Sequence, residues 1–446
     1  MTRDLTTGHP LRRILLFCFP LLIGSLFQQA YTLADSVIIA KYLGVSSFAA
    51  VGSTSSFHTL IVGFALGFCS GLCIPVAQHF GSRNISVIRR TVLNGLYMVV
   101  AVSLFIGVVM TLLARPILIL LRTPSDILDE SCTYISIIFA GVGIILIYNL
   151  CLGCMRALGD SRTPFFILVI CCLLNIALDL LFVVTFHMGV AGVAYATLLS
   201  QLLSTLLCLY AIRKHFPLLH FTKKDTVFSF SIIKSLCAIS IPVGLQFFIT
   251  SMGSVLLQAS INSLGSDVVA AASAGSKVQT VLLAPLDCAG IAIATFASQN
   301  LGANRLDRIR QGSMQTMLAC SIYSFLAFWI CRAFGTSLSK IFLHASDPAI
   351  LAMTQQYLNL NTLFYISLSV IYVYRNTLQG LGRANATMFA GVPELIGRTI
   401  IALFFVTPYG YAGACFGNPA AWTLAALVLL PMYRSAIRKL QKELPA

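Results

Sequence analysis

The sequence predicts an all-α membrane protein of twelve transmembrane helices, arranged as two pseudo-symmetric six-helix lobes. Three observations carry that class. Of 446 residues, 58% are hydrophobic and only 10% are charged, a balance that a soluble domain keeps in water only by exposing a large apolar surface. Windows of about 20 mostly apolar residues, the length that crosses the hydrocarbon, recur along the whole chain between short polar stretches. The two halves of the chain also repeat one another. The apolar runs are continuous rather than alternating, which favours helices over a β-barrel, since each helix satisfies its own backbone hydrogen bonds.

The first span, 14–40, follows MTRDLTTGHPLRR and runs on without a small-residue cleavage site, so it reads as a retained helix rather than a signal peptide. Pro20 can kink it, and Gln28, Tyr31 and Asp35 share one face at helical spacing. The second, 47–77, carries Gly63, Gly67 and Gly71 as a ridge on which another helix can pack closely. Spans at 91–114 and 131–157 follow, the latter holding Cys151 and Cys154. The fifth and sixth, 164–186 and 190–212, bring Asn175, then Asp179 four residues later on the same face, and Thr197. RKHFPLLHFTKKD opens a cytoplasmic loop, 214–231, that separates an amino-terminal lobe, 1–213, from a carboxy-terminal one, 232–446. The second lobe begins with 232–263, containing Pro242, and 268–298, where Lys277 and Asp287 lie about three turns apart with Pro285 between. Spans 313–334, 350–380 with Arg375, 384–407 with Glu394 and Arg398, and 411–433 complete it. The tail YRSAIRKLQKE either lies on anionic lipid or is solvated.

The formal charge of +15 would suggest nucleic acid in a soluble protein; here its distribution sets orientation instead. Twenty-one Lys and Arg, from Arg3 to Lys442, fall on alternate connections, against five (Lys41, Arg115, Arg122, Arg332, Lys340) on the others. Positive-inside bias then puts both termini in the cytoplasm of a multi-pass protein of the inner or plasma membrane, as an even number of spans requires. The 14 cysteines lie inside apolar spans except Cys132, which stands at the polar start of the fourth. With no second pair or nearby His to complete a zinc site, they read as packing residues.

The repeat is the most informative signal. QHFGSRNISVIRR matches QNLGANRLDRIRQ, pairing Gln78 with Gln299, Gly81 with Gly302 and Arg89 with Arg310 at an offset of 221. The same offset pairs GVAG at 189–192 with GYAG at 410–413, and offsets of 222 and 223 pair Pro20 with Pro242 and Leu158-Gly159 with Leu381-Gly382. One six-helix unit is duplicated. Each copy holds an even number of spans, so the repeats are parallel, the plan of carriers whose lobes rock about a substrate site. That argues for a carrier over a receptor or a membrane enzyme, and parallel lobes need no partner chain to form a path, so a monomer is expected.

Ionisable side chains in spans are costly to insert and are functional candidates by default. At a rise of about 1.5 Å per residue, Asp179 lies about 22 Å from the inner end of its span and Thr197 about 10 Å below the outer surface. Asp35, Asn175, Asp179 and Thr197 can therefore meet in the outer half of the first lobe. Two carboxylates close together in low dielectric cannot both ionise cheaply, so one holds a proton or they share a cation, Na⁺ included. The competing reading is that Asp35 caps its helix near water and that Asn175 and Asp179 only join helices. In the second lobe, Glu394 and Arg398 are spaced to pair on one helix, with Arg398 at the repeat position of Asn175, so a self-neutralised structural pair is expected there. Lys277 and Asp287 either partner across helices or face the cavity. No G-x-x-x-x-G-K-[ST] nucleotide loop, H-E-x-x-H or nucleophile–His–acid set occurs, so neither enzyme chemistry nor a nucleotide, metal or other cofactor is expected beyond H⁺ or Na⁺.

FPLLIGSLFQQAYTLADSVIIAKYLG, PVAQHFGSRN, MRALGDSRTPFF, LLNIALDLLFV, GVAGVAYATLLSQ and ASQNLGANRLDRI together resemble the multidrug and toxic compound extrusion (MATE) family, in order and spacing along nearly the entire chain. The resemblance implies two six-helix lobes in a V and export of cationic or amphipathic drugs or dyes in exchange for H⁺ or Na⁺. It also implies a first-lobe cation site on Asp35, Asn175, Asp179 and Thr197, with helix 1 bending at Pro20. One departure stands out: where other members carry an acid on helix 7, eight residues after its proline, this chain has Thr250, which shifts weight to the first lobe. The alternative is a lipid-linked oligosaccharide flippase of the related superfamily. An apolar and aromatic cavity suits promiscuous drug binding better.

Overall fold

A computed structural model describes residues 4–121, 123–340 and 347–443; Arg3 and Arg122, two of the basic residues weighed above, lie outside them. The described chain is helical, with no strand. The first half comprises α1 (Pro10–Ile38), α2 (Gly44–Gly81), α3 (Ile85–Leu120), α4 (Leu128–Ala140), α5 (Val142–Ala157), α6 (Arg162–Asp179) and α7 (Gly189–His215). The second comprises α8 (Phe230–Asn262), α9 (Ser266–Gly302), α10 (Leu306–Lys340), α11 (Pro348–Leu363), α12 (Tyr365–Val370), α13 (Asn376–Gly380), α14 (Ala384–Ile400), α15 (Val406–Cys415) and α16 (Gly417–Glu443).

Ten of these stretches are long and apolar enough to cross a membrane, and α4 with α5, bent by 48° between them, makes an eleventh. The bend falls at Gly141, where a Cβ would run into the Leu198 side chain. The region of the tenth expected span, 350–380, is helical but interrupted after Leu363 and again by wide turns at Ile371–Arg375. Thr354, Asn361 and Thr362 are buried along it, and their donor groups find partners inside the protein, while the Asn361 amide oxygen has none. Thr354 donates to the Ala271 carbonyl at 3.3 Å and Asn361 to that of Tyr357 at 2.9 Å. Exposed Leu104, Phe105, Val108 and Leu112 on α3, and Leu318, Ile322, Phe325 and Trp329 on α10, are the stripes that a bilayer covers.

The duplication read from side chains is written again in the backbone. Left-handed residues pair at the repeat offset: Gly44 (φ 89°) with Gly265 (105°), Arg83 (59°) with Asn304 (55°), Gly159 (82°) with Gly382 (72°), and Gly189 (60°) with Gly410 (54°). Wide helical turns follow α6 at Leu180–Thr185 and α14 at Ile401–Phe405. Packing repeats as well: α2 lies on α5, α3 on α4 and α6 on α7, as α9 lies on α13, α10 on α11 and α14 on α16.

The chain divides into two compact units, one of residues 19–244 with Asp4, the other of residues 5–18 with 245 onward. Within the first, α2, α3 and α5 share a core that includes Phe68, Leu72, Leu146 and Met155. Gly71 belongs to the ridge expected on the second span; a Cβ there would strike the backbone of Ser240 on α8. Within the second unit, the Leu5 amide donates to Gln299 Oε1 at 3.0 Å, while Asn300 Nδ2 and Arg308 Nη2 both donate to the Leu5 carbonyl at 3.3 Å. The start of the chain is therefore held by helices of its second half, and Pro20 stands just beyond the point where α1 passes from one unit to the other.

Candidate functional site

Four of the residues singled out from spacing converge inside the first unit. Asp35 lies one turn before the end of α1, Asp179 is the last residue of α6, Asn175 precedes it by one turn, and Thr197 is on α7. Asp179 is fully buried and Asn175 is 2% exposed. With the Asn175 amide turned so that both its ends are paired, Nδ2 donates to Asp35 Oδ1 at 3.0 Å and the amide oxygen accepts from the Thr197 backbone N–H at 3.2 Å. The Asp35 and Asp179 carboxyl groups are within hydrogen-bonding reach of one another. Asp179 Oδ1 is buried with no hydrogen-bond partner. A hydrogen bond between two carboxyls requires a proton on one of them, and an orphaned buried oxygen is a place where a further proton or cation would be welcomed.

The walls around the carboxyls are apolar, although Asp35 itself is only half-buried. Ile38, Ile39, Val183 and Val193 form an apolar cluster against Tyr134 and Ile176, and Ile138, Ile145, Ala194 and Leu198 extend it along α4, α5 and α7. Tyr31 stands beside Asp35, and Tyr134 of α4 approaches both carboxyls. Tyr134 was not singled out from the sequence: a tyrosine in an apolar span carries no signal until α4 is folded against α1 and α6. Thr197 joins through its main chain, because its hydroxyl donates to the Val193 carbonyl at 3.1 Å. Gln28 is exposed on the far turn of α1.

The second unit is differently charged. Glu394 takes Arg375 Nη1 at 3.0 Å and Arg398 Nη1 at 3.6 Å, so it is shared between two guanidinium groups rather than paired with Arg398 alone. Arg398 also donates to Asn418 Oδ1 at 3.1 Å and to the Thr250 carbonyl at 3.2 Å, and Asn418 continues to Tyr357 and Gln279. Arg398 thus reaches the main chain of Thr250, the residue noted above as the departure from the acid that the resemblance places on helix 7. Arg375 comes from α12's wide-turned continuation, nineteen residues before Glu394, so sequence spacing alone did not connect them. Lys277 and Asp287 are exposed on α9, and Asp287 lies near Tyr372. None of the fourteen cysteines is in a disulfide, and eleven are buried. Among the described residues, no cluster of His, Cys, Asp and Glu could hold a metal ion.

The MatE family model matches residues 20–181 and 242–404. The two matches begin at the repeat-related prolines Pro20 and Pro242. The probable multidrug resistance protein YpnP of Bacillus subtilis (strain 168) is 29% identical over 389 residues, covering 86% of this chain and 85% of that protein. The probable multidrug resistance protein YoeA of the same organism is 24% identical over 440 residues, covering 96% of this chain and 95% of its own length. Among solved structures, a crystal structure of MATE in complex with MaL6 superposes with a TM-score of 0.90 at 22% identity, over 99% of this chain and all of that one.

Proposed function

Because the chain belongs to the MatE family, we propose that it is a secondary active multidrug exporter, exchanging cationic or amphipathic small molecules against protons by alternating access. The observation that carries this reading is the meeting of half-buried Asp35 and buried Asp179 beside an apolar cluster in the first unit. With one proton shared, the two carboxyls attract; with none, they are like charges in low dielectric and repel. Asp179 sits at the junction of α6 with a wide turn, whereas α1 is jointed by Pro20. The strain is therefore relieved most cheaply by bending α1, and proton binding is coupled to its shape.

The proton is favoured over Na⁺ by the donor set. A sodium ion wants several oxygens, but the Asn175 oxygen already accepts the Thr197 N–H, which leaves it one lone pair, and its amide hydrogens face Asp35. In the second unit, the excess guanidinium at Glu394 disfavours a coupling cation. The relatives named as multidrug resistance proteins support the substrate class. The excess of basic residues on alternate connections supports a cell-membrane protein with both termini in the cytoplasm. The lobes are taken as 1–213 and 232–446 joined by 214–231, working as a monomer.

Everted vesicles test the reading. A proton gradient imposed alone should drive ethidium uptake, and a sodium gradient alone should not. The Asp35→Asn variant should abolish the driven uptake while still reaching the membrane. Uptake driven equally by sodium, or unchanged in Asp35→Asn, overturns it.

A further inference from the structure

The segment between α7 and α8 is clamped along α3. Phe216 and Leu219 are buried in the core of the first unit. Arg89 donates through Nε to the Leu218 carbonyl at 3.0 Å and through Nη2 to that of Pro217 at 3.5 Å. Asn94, fully buried, donates to the Val227 carbonyl at 3.3 Å and accepts from the Ser229 amide at 2.9 Å. Tyr97 donates to the Thr226 carbonyl at 3.1 Å. Asp225, the one carboxylate between Arg213 and Lys234, accepts from the Thr222 amide and hydroxyl at 2.8 and 2.6 Å and lies 3.9 Å from Arg89.

Among the side chains that this clamp turns outward, two kinds stand together. Phe221, Val227, Phe228 and Phe230 are 43%, 57%, 63% and 73% exposed. Arg213, Lys214, Lys223, Lys224 and Lys234 are exposed as well, and among the described residues none of the five has a carboxylate within salt-bridge distance. The one acid that would neutralise them is occupied by Thr222 and Arg89. Both flanking helices are long enough to cross a membrane, so the segment lies at a bilayer surface by chain continuity. The 36 residues of α3 span about 54 Å at helical rise against a hydrocarbon core of about 30 Å, which leaves the clamped turns in the headgroup zone.

Aromatic rings beside unneutralised lysines at that depth match the interface of an anionic leaflet. We propose that the clamped segment is a docking surface for anionic phospholipid, with phosphates on Lys223 and Lys224 and the rings of Phe228 and Phe230 among the upper acyl carbons. The hydrogen bonds to α3 fix the backbone beforehand, so docking loses little ordering entropy.

A tryptophan reporter tests this in nanodiscs of the full chain. The two native tryptophans, Trp329 and Trp422, are replaced by Phe, and Phe228→Trp supplies the probe. Lipids brominated in the upper acyl chain should quench it, with brominated phosphatidylglycerol preferred over brominated phosphatidylcholine in mixed discs. In the Lys223→Gln/Lys224→Gln background that preference should fall by about fivefold per lysine removed. A probe unquenched by either lipid, or quenched equally by both while the lysines are present, overturns the proposal.

Discussion

At the scale of single residues, the chemistry turns on which atom of each side chain is engaged. Thr197 reaches Asn175 through its backbone N–H, its hydroxyl being spent on Val193. Thr197→Ala should therefore leave gradient-driven ethidium transport close to wild type, whereas Asn175→Leu, which removes the link to Asp35, should abolish it. Vesicle uptake assays on the two variants separate these outcomes, and loss of transport in Thr197→Ala would assign the hydroxyl a direct part. In the second unit, Glu394 is the one carboxylate among the described residues within salt-bridge distance of two guanidinium groups, which are 13% and 5% exposed. Glu394→Gln leaves them facing one another, and removing one member of a buried charge set costs about 3–5 kcal/mol. Thermal unfolding in detergent should show a marked loss of stability for that variant, well beyond the change expected of Lys277→Gln at an exposed position.

At the scale of elements, spacing grouped the four first-unit residues, because shared faces on α1 and α6 and a depth count for Asp179 and Thr197 were enough to place them together. The i, i+4 rule also found Glu394 and Arg398. The same rules were blind to Arg375 and Tyr134, whose positions depend on how separate helices pack, and to the broken course of 350–380, where buried polar side chains look like any span until their partners are known. The linker is the sharpest case: a basic, proline-bearing stretch reads as a loop, while its order depends on Arg89, Asn94 and Tyr97 of a distant helix. Thr222 and Arg89 hold the Asp225 carboxyl below the usual carboxylate range. A depressed folded pKa contributes stability above the unfolded value and loses it as pH falls through the folded one. Proteolysis of the linker should thus stay constant from neutral pH down to the ordinary carboxylate range near about 4 and rise only below it. An Asp225→Asn variant should be cleaved faster already at neutral pH.

At the scale of the whole molecule, duplication explains both the likeness and the difference of the two halves. Paired left-handed residues, wide turns and helix contacts recur at offsets of 221 to 223 because one backbone plan serves twice. The polar side chains hung on that plan diverged, to a pair of acids in one unit and two arginines about one acid in the other. The repeat is also not cut cleanly by the chain. Residues 5–18 pack within the second unit, where Gln299, Asn300 and Arg308 grip the main chain of Leu5, and α1 then runs on past Pro20 to carry Asp35 in the first. A change at residue 5 should therefore be felt near residue 300. Leu5 is 2% exposed, and Leu5→Asp buries a charge without a partner, which expels the arm and frees Asn300 and Arg308. Hydrogen exchange should then accelerate at 299–315 while the amides around Asn175 and Thr197 keep their protection. Because the arm and Asp35 share one helix that carries Pro20, on the proposed mechanism the same variant should weaken the coupling of transport to the proton gradient more than it weakens substrate binding. Equal losses in both would mean that the arm only stabilises the fold.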